Sequence, residues 1–377
     1  MPAKSQQFQY DYLIIGAGLY AAVCAREMLE AGKKVLVLER RQHIAGNCYS
    51  ENIKGIDVHK YGAHILHTKS RFIWDYILKF TKIHDYRHLV KSSLADQLYS
   101  FPINLKTFEE LYGLVSEEQV KEHLAKVKIP FANPKNLQEW ALSQVGEDLY
   151  EKFIKGYTQK QWNCHPQELD TSIIQRIPVR QTLSEEYFDD PFQGIPSDGY
   201  TKMMENMLAG IEVRMGVDFL KSKDQWSSIG RTIIYTGKID EYFDYVLGEL
   251  KWRSLNFVES HIDREFYQDY AVINYPEKDI PFTRIIEHKH FNKQKKYSYS
   301  YITQEYAMDW SREKEAYYPV YDSSGKSQLY LKYREHAKQN APQVYFKGRL
   351  GEYLYRDMCP TIAAALSFSK KQLKIKR

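Results

Sequence analysis

Gly16 and Gly18, with Ala21 three residues further and Glu39 about twenty residues on, form the group whose spacing points most directly to chemistry. Gly16 permits a tight turn, and Gly18 lets the backbone approach a pyrophosphate. Ala21 keeps the following helix close to its strand, and the helix N-terminus faces phosphate charge. Glu39 stands where a carboxylate accepts hydrogen bonds from a ribose 2′-hydroxyl, which argues for a dinucleotide other than NADP. Glu39-Arg40-Arg41-Gln42-His43-Ile44-Ala45-Gly46-Asn47 is then a charged turn followed by small residues and an amide. Such a segment can pass close under a long cofactor and leave Asn47 as a donor. The same residues also fit a Rossmann domain for NAD with unrelated flanks. His59, His64 and His67 invite a metal reading, but no cysteine or paired carboxylate accompanies them. Gly62 argues for a loop there, so histidines bonded to backbone are the alternative. Arg180 and Arg284, taken by themselves, read as surface charges.

These groups need elements to hold them. Residues 12–15 read as an apolar strand, 22–29 as a helix and 35–38 as a second apolar strand ending at Glu39. A His- and Gly-rich passage over 57–68 precedes a helix at 70–80, and a strand over 98–101 stops at Pro102. From 107 to 160 the pattern turns helical. Ser116 starts one helix, 136–145 is another, and 148–155 is a third that Gly156 stops. Residues 199–208 read as a helix and 212–215 as a strand; an apolar strand over 232–237 returns to the nucleotide domain. Between 254 and 306 the period becomes two. Tyr297, Tyr299 and Tyr301 share one face of a strand and 282–287 forms another, giving an antiparallel sheet outside the parallel one. A strand at 344–346 leads into Gly348-Arg349-Leu350-Gly351, and 361–369 closes as a helix with Pro360 near its first turn. The nucleotide domain is therefore assembled from discontinuous segments.

A chain of 377 residues suggests two or three domains with a large core. The net charge of +5 is small, and the basic 370–377 tail reads as a solvated end, so nucleic acid is not an expected partner. The 31 tyrosines supply flat apolar faces with hydroxyls, suited to sugars, uracil and flavin or to strand packing. Four cysteines form no C-x-x-C pair, which fits a reduced cytoplasmic chain without metal. Residues 1–9 are too polar for a signal peptide, and no apolar run approaches the roughly 20 residues of a membrane span.

Tyr61-Gly62-Ala63-His64-Ile65-Leu66-His67-Thr68 resembles the histidine loop of bacterial UDP-galactopyranose mutases. Further matches follow in family order: Lys155-Gly156-Tyr157-Thr158-Gln159-Lys160-Gln161-Trp162, Arg176-Ile177-Pro178-Val179-Arg180 and Phe192-Gln193-Gly194-Ile195-Pro196. Later come Phe282-Thr283-Arg284-Ile285-Ile286-Glu287-His288-Lys289-His290-Phe291, Tyr317-Tyr318-Pro319-Val320 and Gly348-Arg349-Leu350-Gly351. The set spans nearly the whole chain. The 39–47 segment with the C-terminal Gly-Arg-Leu-Gly is also similar to the FAD-binding pattern of flavin oxidoreductases with a glutathione-reductase-like nucleotide domain. The resemblance implies an α/β fold: a Rossmann-like FAD-binding domain from discontinuous segments, a helical domain and an antiparallel β-sheet domain, in a homodimer. It divides the chain into 1–80, 181–240 and 326–377 for FAD, 81–180 for a mainly helical substrate and dimerisation domain, and 241–325 for the sheet.

The resemblance also implies a site. Arg180 and Arg284 match two phosphate-binding arginines, catalytic together with His64. Tyr157, Thr158 and Trp162 match a uridine-binding segment, and Tyr187, Asn274, Glu305, Tyr318, Tyr355 and Asp357 match substrate or flavin positions. For the cofactor it implies Gly16, Gly18, Tyr20, Glu39, Arg40, Asn47, His64, Ile65, Arg349, Asp357 and Met358. Two departures touch nucleotide contacts more than the reaction: His88 stands where some relatives have Asn near the uridine, and 351–357 differs between matched residues. The implied activity is the interconversion of UDP-galactopyranose and UDP-galactofuranose by FAD, active when reduced, through an N5–sugar adduct. Its product would supply cell-surface polysaccharide, with NAD(P)H or another reductant activating the flavin. Rival readings are a flavin amine oxidase or desaturase, which has no use for paired phosphate-binding arginines, and a non-catalytic FAD- or nucleotide-sugar-binding protein.

Overall fold

The computed structural model describes residues 8–175, 179–180, 182–292, 296–321 and 327–374. Arg176, Ile177 and Pro178 of the second arginine motif, and residues 1–7 and 375–377 of the two tails, lie outside that set. The predicted nucleotide unit is present as strand Tyr10–Ile15, helix Leu19–Glu30 and strand Val35–Leu38. Gly16 leaves the first strand at φ +98°, and a Cβ there would lie 2.2 Å from Thr236 Oγ1, so both backbone and space require glycine.

Five parallel strands form the first sheet, in the order Glu212–Arg214, Val35–Leu38, Tyr10–Ile15, Gly230–Tyr235, Val344–Phe346. Its central strands are continuous apolar runs because both faces are covered. Ile14, Val37 and Ile234 pack into one core cluster, and Leu13, Leu36 and Ile233 into another. Ala21, Ala22 and Ala25 on the first helix are fully buried, and these small side chains let the C-terminal helix Met358–Gln372 pack closely against it. Segments from both ends and the middle of the chain thus build one sheet, as the sequence pattern requires.

The second sheet has seven strands, in the order Tyr318–Pro319, Trp252–Ile262, Ser300–Asp309, Arg284–Glu287, Val272–Asn274, Val90–Leu94, Gln97–Phe101. It is antiparallel except where Val272–Asn274 lies parallel to Val90–Leu94. The segment expected to be mainly helical therefore contributes a hairpin to the sheet, because pairing with a strand almost two hundred residues away is a tertiary event. Tyr297 and Tyr299 precede the strand and only Tyr301 lies in it; the two earlier hydroxyls donate to the Gly55 and Lys54 carbonyls at 2.6 Å.

Helix starts follow local chemistry. Ser116 caps Glu117–Val127 with Gln119 completing a capping box, and Asn136 caps Leu137–Leu149. Gly156 does not end its helix. It keeps right-handed helical angles, and the chain runs from a π-helical turn, Tyr150–Lys155, into Gly156–Trp162. The stop comes at Asn163, at φ 51°. The last helix begins at Met358, two residues before Pro360, which sits in its first turn.

Candidate active site

A cavity of about 780 Å³ is lined from both sheets and from the helices between Leu137 and Trp162. At one end lie Gly16, Gly18, Tyr20, Glu39, Arg40 and Asn47. The first turn of Leu19–Glu30 opens here, where amide N–H groups have no intrahelical acceptor. Glu39 is buried, and its two carboxylate oxygens accept from the Ala17 and Arg41 amides, each at 2.8 Å. The acid expected at a ribose is thus anchored to backbone and retains lone pairs for a further donor. Glu315 pairs with Arg40 at 2.8 Å and Arg41 at 3.0 Å. Burial opposes its charge, but the two guanidiniums hold its pKa below the usual range. Asn47 Oδ1 accepts from Arg41 at 3.2 Å.

Midway, the histidine loop meets the start of the C-terminal helix. Ile65, Arg349, Asp357 and Met358 line the wall beside His64. His64 Nδ1 lies 2.7 Å from the Gly62 carbonyl, so that nitrogen carries the proton and Nε2 is left as an acceptor. Its backbone is held on both sides: His59 Nδ1 accepts from the amide at 3.2 Å, and the Tyr200 hydroxyl donates to the carbonyl at 2.8 Å. Burial, reinforced by His59, pulls the His64 pKa down to about 3, so the ring is neutral near pH 7.

At the far end Arg284 donates through Nε (2.9 Å) and Nη2 (2.7 Å) to one oxygen of Glu305, which is 1% exposed. Burial works against the guanidinium charge, but Glu305 raises its pKa above the ordinary value. Trp162, Tyr318 and Tyr355 form an aromatic wall, with successive centroids 6.1 and 5.7 Å apart, and Arg349 lies 5.7 Å over Tyr355. Burial pushes the Tyr318 phenol well up, which keeps it a donor. Tyr157, Thr158, Asn274, Tyr187 and His88 complete this end. His88 is buried, and burial takes its pKa down to about 3.

One expected site residue is elsewhere. Arg180 does not line the cavity. Its guanidinium donates to the Glu186 carbonyl, to the Tyr187 carbonyl at 3.2 Å, and to Asp189 at 2.8 Å. Local carbonyls and a carboxylate compete for the fork, a competition no motif discloses. Every other predicted site residue lines the cavity. The three histidines of the loop diverge: His67 lies 2.5 Å from Asp190 and stacks on Phe188, while His59 stacks on Phe291. Among the described residues no metal-holding group of His, Cys, Asp and Glu occurs. Sequence reasoning missed Arg41, Gln161 and Tyr317, which also line the cavity. All three sat inside matched motifs, but nothing local distinguishes them from their neighbours.

A family model for UDP-galactopyranose mutase matches residues 152–355, and one for an NAD(P)-binding Rossmann-like domain matches 14–80. The chain is 36% identical to a dTDP-fucopyranose mutase of Escherichia coli, over 96% of this chain and 98% of that protein. It is also 36% identical to a probable UDP-galactopyranose mutase of Klebsiella pneumoniae, over 94% and 93%. A UDP-galactopyranose mutase of Mycoplasma genitalium is 30% identical over 96% and 94%. A crystal structure of reduced UDP-galactopyranose mutase shares the fold with TM-score 0.73 over 97% and 96% of the two chains, at 14% identity. A putrescine oxidase shares it with TM-score 0.60 over 98% and 100%, at 12% identity.

Proposed function

The chain belongs to the UDP-galactopyranose mutase family, and on that premise we propose that it interconverts UDP-galactopyranose and UDP-galactofuranose with reduced FAD. The observation that carries the reading is one cavity joining a dinucleotide cradle at Gly16–Glu39 to a cationic aromatic end at Arg284, Trp162 and Tyr318. A substrate-consuming oxidase has no need of that second, phosphate-binding end. The donor set fits FAD: orphan amides at a helix N-terminus for the pyrophosphate, and the anchored Glu39 carboxylate for the ribose. When reduced, FAD supplies a nucleophilic N5 toward the anomeric carbon, with no net consumption of reductant.

The chain's own residues bind, orient and screen. Gly16 and Gly18 admit the cofactor pyrophosphate, with Tyr20, Arg40 and Asn47 along its length. Arg349, Asp357 and Ile65 border the flavin position. Neutral His64 keeps a fixed acceptor, Nε2, for a donor at the sugar–cofactor junction. The first turn of Met358–Gln372 favours negative charge beside it. Arg284 holds the departing pyrophosphate near the anomeric carbon and resists its escape. Tyr157, Thr158 and Trp162 receive the base, while Tyr187, Asn274 and His88 close the wall. The neutral phenol of Tyr318 and the hydroxyl of Tyr355 offer hydrogen bonds to phosphate or sugar. NAD(P)H or another reductant, a cytoplasmic homodimer and polysaccharide supply remain parts of this proposal. Among the described residues no helix is long and apolar enough to cross a membrane.

The E. coli relative supports a second reading, in which the substrate is dTDP-fucose. Both readings share ring contraction of a nucleoside-diphosphate hexose. The test is anaerobic incubation of dithionite-reduced holoenzyme with UDP-galactofuranose and, in parallel, dTDP-fucofuranose, followed by chromatography for the pyranose forms. Faster conversion of UDP-galactofuranose is expected. Preference for the dTDP sugar transfers the assignment to it. Turnover by fully oxidised enzyme at an equal rate overturns the reduced-flavin mechanism, and peroxide formation from an amine without sugar conversion overturns the mutase reading.

A further inference from the structure

Lys160 lies in the helix whose neighbours face the cavity, yet its ammonium is used elsewhere. Its Nζ donates to four backbone carbonyls on one turn: Tyr275 at 2.5 Å, Glu277 at 2.9 Å, Ile280 at 2.9 Å and Phe282 at 3.0 Å. That turn joins the strands Val272–Asn274 and Arg284–Glu287, so it begins beside Asn274 and ends beside Arg284. The same helix meets the turn at its start, where a Cβ on Gly156 would lie 2.3 Å from the Pro276 carbonyl. On its other side, Arg253 donates to the Gln161 carbonyl at 2.9 Å. After Phe282, the Thr283 amide donates to the Glu305 carbonyl at 2.8 Å, and Glu305 in turn fixes Arg284.

We propose that Lys160 is a positioning residue for the nucleotide: it sets the distance between the base-receiving helix, with Tyr157, Thr158 and Trp162, and the phosphate-binding Arg284. The inference rests on the nucleotide-sugar function proposed above. A nucleoside diphosphate must touch both elements at once, and they come from positions more than a hundred residues apart. Their spacing is therefore a tertiary variable that needs a brace. A compact ammonium with three rotatable donors can be shared among four converging oxygens, whereas a planar guanidinium cannot. Lys160 itself touches no ligand.

The test uses FAD-loaded wild type, Lys160→Met, Lys160→Arg, Arg284→Ala and the Lys160→Met/Arg284→Ala double variant. UDP affinity is measured by calorimetry, with flavin occupancy and melting temperature recorded for each. Lys160→Met is expected to weaken UDP binding by roughly tenfold or more, and Lys160→Arg by less, at unchanged flavin occupancy. In the Arg284→Ala background the Lys160→Met effect should shrink to about twofold or less, because the brace acts through the arginine it positions. Equal UDP binding by wild type and both Lys160 variants overturns the proposal alone. So does full additivity in the double variant, or loss of flavin and fold in both Lys160 variants, since each makes Lys160 a general structural brace. A wild-type holoenzyme that does not bind UDP overturns the functional reading beneath it.

Discussion

Glu305 is 1% exposed and one of its oxygens takes both hydrogen bonds from Arg284, so removing the arginine strands a carboxylate in the cavity wall. Arg284→Ala is expected to lower reduced-state turnover about 30- to 1,000-fold through loss of the pyrophosphate contact. It should also lower the melting temperature, because an uncompensated buried charge costs about 3–5 kcal/mol. Arg284→Ala/Glu305→Ala should recover the melting temperature and not the turnover; recovery of both would remove the phosphate role. Arg180 is the contrasting case. Its fork holds the Glu186 and Tyr187 carbonyls, and Tyr187 lines the cavity, so it supports the wall from behind. Arg180→Ala should melt lower and lose less turnover than Arg284→Ala. An unchanged melting temperature with an equally large turnover loss would put this guanidinium on the pyrophosphate during catalysis. At this scale the sequence points to residues that the fold, Arg180 apart, brings to one cavity, and it does not show their partners: neither Glu305 nor Asp189 is adjacent to the arginine it meets.

The turn after the first strand is the element on which the proposed cofactor binding rests. Gly16→Ala would bring a Cβ within 2.2 Å of Thr236 Oγ1 at a backbone angle L-residues avoid. The wild type is expected to purify yellow and the variant with little flavin, as read from the ratio of visible to ultraviolet absorbance. Thr236→Ala added to it removes the contact but leaves the angle, so occupancy should return only in part. Full occupancy in Gly16→Ala would count against this turn as the pyrophosphate cradle. Elements of this kind are local: a strand, a turn residue and a cap sit within a few positions of one another, and the first βαβ unit is read correctly for that reason. Gly156 fails the same test. Glycine signals a helix end when a left-handed angle is needed, but here it is selected by the Pro276 carbonyl from another element.

Three histidines are held neutral where the layers meet: His64, His88 and His288, each depressed chiefly by burial. A base whose folded pKa lies below its unfolded value contributes no penalty above about pH 6.5. As pH falls below that value the unfolded chain takes up protons that the fold refuses, so stability declines toward the folded pKa, about 3 for His64 and His88. The slope is about 1.4 kcal/mol per pH unit for each group. A melting-temperature series from pH 7 to 5 should therefore fall. His88→Asn should flatten it by about 2 kcal/mol across that range. An identical slope in the variant would show that His88 does not carry this acid sensitivity.

For the molecule as a whole, the sequence by itself determined the parallel nucleotide sheet, the caps at Ser116 and Asn136, the family motifs and a set of site residues that, Arg180 apart, line one cavity. Those features are written in contiguous spacing, capping residues and short motifs, each decided by neighbours along the chain. Tertiary structure alone decided that Val90–Phe101 joins the second sheet, that Tyr297 and Tyr299 stand before its strand, and that Gly156 lies inside a helix. It also turned Arg180 toward 186–189, seated Arg284 on Glu305 and placed Lys160 under the turn before that arginine. The reason is common to all six: each outcome depends on which distant strand edge, carbonyl or carboxylate reaches the residue first, and that is a distance in space with no counterpart in sequence.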